Sequence, residues 1–169
     1  MIGKHVKELL TETEDTFLIE AENVATVLYT HPLEHALLVL TNVGYSKIPV
    51  IDSEAHLVGL LSLADIMRAI SGLTGFDMSL LESLTVADVM EVNVTTIHQN
   101  EGLEVLLRRL VNEPFLPYVT AENVFLGIYT RKTILKSVNH MVHEIESRYY
   151  LIEKNEQKKA QKTKPHITD

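Results

Sequence analysis

The hydrophobic positions of this chain come in short blocks separated by polar turns, and the blocks alternate between strand and helix periodicity. Val24–Leu28 reads as a short strand, and Leu33, Leu37, Leu40 and Val43 then fall at helical spacing behind Pro32. Proline is tolerated at a helix start, so a helix is predicted over Pro32–Val43. Lys47–Ile51 is a short strand in which Pro49 points to an edge or a strand start. The polar turn Asp52-Ser53-Glu54 leads into a second apolar strand at Leu57–Leu61, and Ser62 caps a helix running to about Ser71.

The same order returns further along. Shifting the chain by 68 positions lays Val24 on Val92, Leu38 on Leu106, Pro49 on Pro117, Gly59 on Gly127, Ser62 on Thr130 and Ile66 on Ile134 without a gap. The matched Pro and Gly weigh most, because their backbone demands are hard to meet by accident. The second copy begins near Val94, with helices at about Glu101–Asn112 and from Thr130 onward, and strands near Phe115–Val119 and Val124–Tyr129. The fold class is α/β (α+β), built from two tandem β-α-β-β-α repeats. The expected organisation is an N-terminal helical segment over 1–22, repeat 1 over 23–71, a linker over 72–84 with a turn-rich Gly72–Phe76, and repeat 2 over 85–140. Thr85–Asp88 opens repeat 2 with capping-box spacing, and a helix end and mobile, lysine-rich tail fill 141–169.

Composition narrows the function. With 169 residues and 46% hydrophobic content the chain can bury a sizeable core. A net charge of −8 argues against a general nucleic-acid binder and against attachment to an anionic membrane. The absence of cysteine removes disulfides, thiolate metal sites and a cysteine nucleophile. Met1–Glu8 lacks the apolar core of a secretory signal, and no apolar stretch approaches the ~18 residues of a spanning helix, so the expected address is cytoplasmic. His31 and His35 stand four apart on a predicted helix without a convincing third ligand, so no metal is expected. No Ser-His-Asp order or glycine-rich phosphate loop stands out; the expectation is a protein with no catalytic residues and no cofactor.

The doubled β-α-β-β-α order resembles the cystathionine-β-synthase (CBS) domain pair, or Bateman module. The residues that carry the resemblance are Tyr45-Ser46-Lys47-Ile48-Pro49-Val50 with Leu57-Val58-Gly59-Leu60-Leu61-Ser62-Leu63-Ala64-Asp65. In the second copy they are Phe115-Leu116-Pro117-Tyr118-Val119 with Phe125-Leu126-Gly127-Ile128-Tyr129-Thr130, and Val86-Ala87-Asp88-Val89-Met90 is similar to the opening segment of such a repeat. The match covers roughly residues 10–140. It implies two repeats related by pseudo-twofold symmetry, with ligands in crossed clefts between them. Having no catalytic domain beside the pair, the chain is similar to the stand-alone CBS proteins of Gram-positive bacteria that sense cyclic di-AMP. That resemblance implies second-messenger signalling as a homodimer, with Met67, Ile70, Ile134 and Val138 as candidate contacts. The partner enzyme it implies is the stringent-response synthetase/hydrolase or pyruvate carboxylase.

Carried over by position, the resemblance implies two unequal clefts. Cleft A joins Ala25, Thr26, Tyr45, Ser46, Lys47 and Ile48 to Thr130, Arg131 and Thr133. Cleft B joins Asn93, Val94, Phe115 and Leu116, with Glu113 and Pro114, to Ser62 and Asp65. A helix N-terminus attracts anions, and cations in its first turn, here Arg131 and Lys132, make sense where a phosphate sits. Arg131 is expected to grip it bidentately and Lys47 to add charge. In cleft B, Asp65 and Glu113 would meet a phosphate with like charge. Where the family usually has a ribose-binding Asp, cleft A has Thr133, which suits a cyclic dinucleotide better than free AMP or ATP. Two alternatives stay open: an AMP/ADP/ATP energy sensor, favoured by Asp65, and a ligand-free dimeric scaffold. Ser62-Leu63-Ala64-Asp65 is also a capping box that needs no ligand.

Overall fold

The structure is a computed structural model that describes residue 8, residues 17–73 and residues 75–148. The lysine-rich tail and most of the expected N-terminal helix lie outside the described residues. Residue 8 is helical, and at the far end of the expected segment Leu18–Glu20 forms strand β1, followed by a 3-10 turn at Ala21–Asn23. Repeat 1 then runs β2 (Val27–Leu28), α1 (Leu33–Val43), β3 (Lys47–Ile51), β4 (Leu57–Ser62) and α2 (Leu63–Ile70). The expected linker holds a small ribbon, β5 (Ser71–Gly72) with β6 (Gly75–Phe76), and a short helix α3 (Leu80–Ser83). After a 3-10 turn at Val86–Asp88 come β7 (Ile97–His98), α4 (Leu103–Leu110), β8 (Phe115–Val119), β9 (Phe125–Thr130) and α5 (Arg131–Arg148). Among the described residues no helix is long and apolar enough to cross a membrane.

The two repeats match in register. Lys47 faces Ser62 and Pro49 faces Leu60 across β3–β4, and Phe115 faces Thr130 and Pro117 faces Ile128 across β8–β9. Both ladders break at the same place, between Val50 and Ile51 and between Tyr118 and Val119. The pseudo-twofold axis passes between His56 and Val124. There the Leu57 N–H donates to the Asn123 carbonyl at 2.9 Å, and the Phe125 N–H to the Ala55 carbonyl at 2.8 Å. Ala55 and Asn123, also 68 apart, both take positive φ values, 64° and 69°.

Pro49 lies in the middle strand of the sheet β2-β3-β4, not on an edge. Leu60, opposite it, uses both its N–H and its carbonyl on Glu91, so Pro49 is not asked for a bond on that side. β2 pairs only with Val50 and Ile51, so no partner waits for the missing N–H on the other. Alternation along β3 and β8 does the rest. Ile48 and Leu116 point into the cores and are fully buried, leaving their neighbours for the opposite face.

Each helix buries one stripe on its own repeat. Leu33, Ala36 and Leu40 of α1 and Ile66 and Ile70 of α2 pack with Ile48, Val50 and Leu61, and Leu106, Leu110 and Ile134 pack with Leu116 and Ile97 in repeat 2. A third cluster, Val24, Leu57, Val119, Phe125 and Ile128, joins the repeats. Of the expected dimer contacts, Ile70 (1% exposed) and Ile134 (6%) are core residues, while Met67 and Val138 are partly buried against the same cores.

Candidate functional site

A cavity of about 540 Å³ opens between the repeats, inside the range of small-molecule sites. From repeat 1 it takes the turn after α1, where Gly44 in the left-handed conformation (φ 67°) ends the helix and delivers Tyr45, Ser46 and Lys47 onto β3. From repeat 2 it takes Thr130 at the end of β9 and Thr133, Lys132 and Lys136 on the first turns of α5. Ile19, Val24, Pro49, Phe115 and Ile128 give it apolar walls. Three lysines thus line one cavity in an acidic chain, and no Asp or Glu is among the described residues that line it.

The hydroxyls at the α5 end are held in place. Thr130 Oγ1 accepts from the Thr133 N–H at 3.1 Å, which caps the helix, and the Thr133 hydroxyl lies 2.8 Å from the Thr130 carbonyl. Lys132 and Lys136 sit one turn apart and have no ion-pair partner among the described residues. Lys47 is different: its Nζ donates to Glu91 Oε2 at 2.6 Å.

Cleft A is therefore present but differently furnished. Tyr45, Ser46, Lys47, Thr130 and Thr133 come together as expected. Arg131 does not line the cavity. Its Nε donates to the Leu110 carbonyl at 2.9 Å and a terminal nitrogen to the Val111 carbonyl at 3.2 Å, satisfying acceptors at the end of α4. Ala25 and Thr26 fall outside the lining, where Val24 takes their place, and Ile48 lies in the core beneath. Lys136 is the charged residue sequence reasoning did not assign to this cleft, and Ile19, Val24, Gly44, Pro49, Pro114, Phe115 and Ile128 join it.

The residues expected for cleft B do not share either of two cavities. Phe115 and Pro114 line the cleft A cavity, Leu116 is fully buried, and Val94 lines a separate hollow of about 160 Å³. Asn93 is exposed. Ser62 and Asp65 line neither cavity. They form a reciprocal capping box: the Asp65 N–H donates to Ser62 Oγ at 3.1 Å and the Ser62 N–H to Asp65 Oδ2 at 3.0 Å, while Arg68 pairs with Asp65 at 3.0 Å. Burial pushes the Asp65 carboxyl up, but the Ser62 bonds and Arg68 together hold it below its ordinary value. A carboxyl lowered on folding stabilises above its unfolded pKa, and that contribution is lost as pH falls through the folded pKa. Asp65→Asn should therefore lower stability by about 1 kcal/mol at neutral pH and flatten the acid side of the stability–pH curve, as denaturant titrations from pH 7 to pH 3 would show.

His31 and His35 meet edge to face, with ring centroids 4.5 Å apart. Burial first, and then the neighbouring His35, lower the His31 pKa. Among the described residues no group of three His, Asp or Glu side chains is placed to hold a metal.

The description of the CBS domain matches residues 7–72 and 86–140. The chain belongs to the CBS domain family. It is similar to cyclic di-AMP receptor B of Bacillus subtilis (strain 168), 37% identical over 145 residues, covering 86% of this chain and 99% of the relative. A solved structure of CbpB from Listeria monocytogenes in complex with c-di-AMP is 45% identical, with a TM-score of 0.73 over 78% of this chain and 98% of that one. CbpB from Streptococcus agalactiae is 32% identical with a TM-score of 0.80, covering 90% of this chain and 96% of that one. The Bacillus subtilis relative is named as a receptor, and no catalytic family is indicated.

Proposed function

We propose that this CBS pair is a receptor for cyclic di-AMP, that the nucleotide occupies the 540 Å³ cavity between the repeats, and that occupancy regulates a partner enzyme. The observation that carries the reading is the lining itself: an apolar wall broad enough for an adenine, with Lys132, Lys136 and two hydroxyls gathered at the N-terminus of a long helix. Thr133 accepts a linked ribose oxygen without adding a negative charge beside the phosphate. The receptors named for cyclic di-AMP among the relatives support the same ligand. The energy-sensor alternative rested on Asp65, which is engaged in its capping box. The partner enzymes implied by the resemblance, the stringent-response synthetase/hydrolase and pyruvate carboxylase, are the first to assay. For a two-fold homodimer the surfaces on offer are Leu63 of α2 and Leu135 and Val142 of α5, which remain exposed.

Thermal unfolding with cyclic di-AMP, cyclic di-GMP, AMP, ADP and ATP in parallel tests the ligand. At 100 times its dissociation constant cyclic di-AMP should stabilise by about 2.7 kcal/mol, raising the midpoint by roughly 5–10 °C. A larger shift with AMP or ATP would replace this reading with the energy sensor, and no shift with any nucleotide would leave the scaffold.

A further inference from the structure

We propose that Glu91, which does not line the cavity, is its selectivity element: its carboxylate disfavours ligands in proportion to the charge they bring, so that phosphodiesters are accepted and polyphosphates resisted. The inference rests on the cavity being a nucleotide site and adds a residue that decides which nucleotide.

Lys47 lines the cavity, yet its ammonium is bound to Glu91 at 2.6 Å. Lys132 and Lys136, across the same space, have no such partner among the described residues. The site is therefore asymmetric, with open positive charge at the α5 end and neutralised charge at the β3 end. Glu91 is also fixed. Its N–H donates to the Leu60 carbonyl at 2.8 Å and its carbonyl accepts from the Leu60 N–H at 2.9 Å, pinning it to β4, the strand paired with β3. When a phosphate reaches Lys47, the carboxylate loses its partner but stays on the same strand edge. A ligand that uses only Lys132 and Lys136 avoids that encounter; one with more charge than they can hold does not. Repulsion grows with the ligand's charge. Cyclic di-AMP carries two negative charges, one on each phosphodiester, and the chain of phosphates in ATP carries about four.

The test is calorimetric titration of cyclic di-AMP and of ATP into the full chain and into Glu91→Gln. Glutamine keeps the shape and both backbone bonds of an exposed side chain, so the fold is not at stake. The substitution should strengthen ATP binding by up to about fivefold and cyclic di-AMP binding by roughly twofold or less, narrowing the preference between them. Equal changes for the two nucleotides, or ATP binding that stays undetectable in Glu91→Gln, would overturn the proposal while leaving the cavity as the site. Failure of the unsubstituted chain to bind either nucleotide would remove the nucleotide reading itself and this proposal with it.

Discussion

Gly127→Ala should be the most damaging small substitution in the chain, lowering stability by about 2–4 kcal/mol and weakening the nucleotide site at the same time. Gly127 has a φ of 149°, a region that side-chain-bearing residues rarely adopt. A Cβ there would lie 2.2 Å from the Ile19 carbonyl oxygen and 3.0 Å from Leu18 Cδ1. The obstruction is backbone, so the only relief is for β1 to leave β9, which it pairs from Leu18–Tyr129 to Glu20–Gly127. Ile19 lines the cavity, so the wall would move with the strand. Urea unfolding and cyclic di-AMP titration of the same variant would show both losses. Gly102→Ala is the control: nothing lies within 4 Å of its added Cβ, and it should change stability by less than about 1 kcal/mol. If alanine at 127 leaves stability intact, the close crossing of β1 over β9 is not a constraint on the fold.

Reversing the two lysines of α5 that line the cavity should have the largest effect on binding. Lys132→Glu with Lys136→Glu replaces two cations by two anions on the first turns of α5, the end assigned to the phosphates. Affinity for cyclic di-AMP should fall by at least about 100-fold, since hydrogen bonds to charged groups contribute about 1.5–3 kcal/mol each and like charge now opposes the ligand. Both side chains are exposed, so the thermal midpoint of the free protein should stay nearly unchanged. Calorimetry on the folded variant measures the loss. An affinity within a few-fold of the parent would place the phosphates elsewhere.

Periodicity and repetition make most of the scaffold legible in the sequence. Lys47–Ile51 and Phe115–Val119 match their strands residue for residue, because alternation around a proline leaves little freedom in where the strand lies. β1 was hidden for a specific reason. Ile19 falls 68 positions before Ala87, which sits in a 3-10 turn, so the internal comparison offered no strand there, and three residues carry little pattern of their own. The direction of Arg131 depends on the carbonyls at the end of α4, 20 and 21 positions earlier, which no local rule brings beside it. Lys136 was within reach: continuing the helix one turn from Lys132 puts it on the same face. The capping box of Ser62 and Asp65 is written in their spacing.

The central claim is where the nucleotide sits, and the most direct measurement is a titration of isotope-labelled protein with cyclic di-AMP, followed residue by residue by NMR. The account expects the largest shifts at Tyr45, Ser46 and Lys47 and at Thr130, Lys132, Thr133 and Lys136, with Ser62 and Asp65 undisturbed. Shifts centred on Ser62, Asp65 and Asn93, with α5 silent, would contradict it.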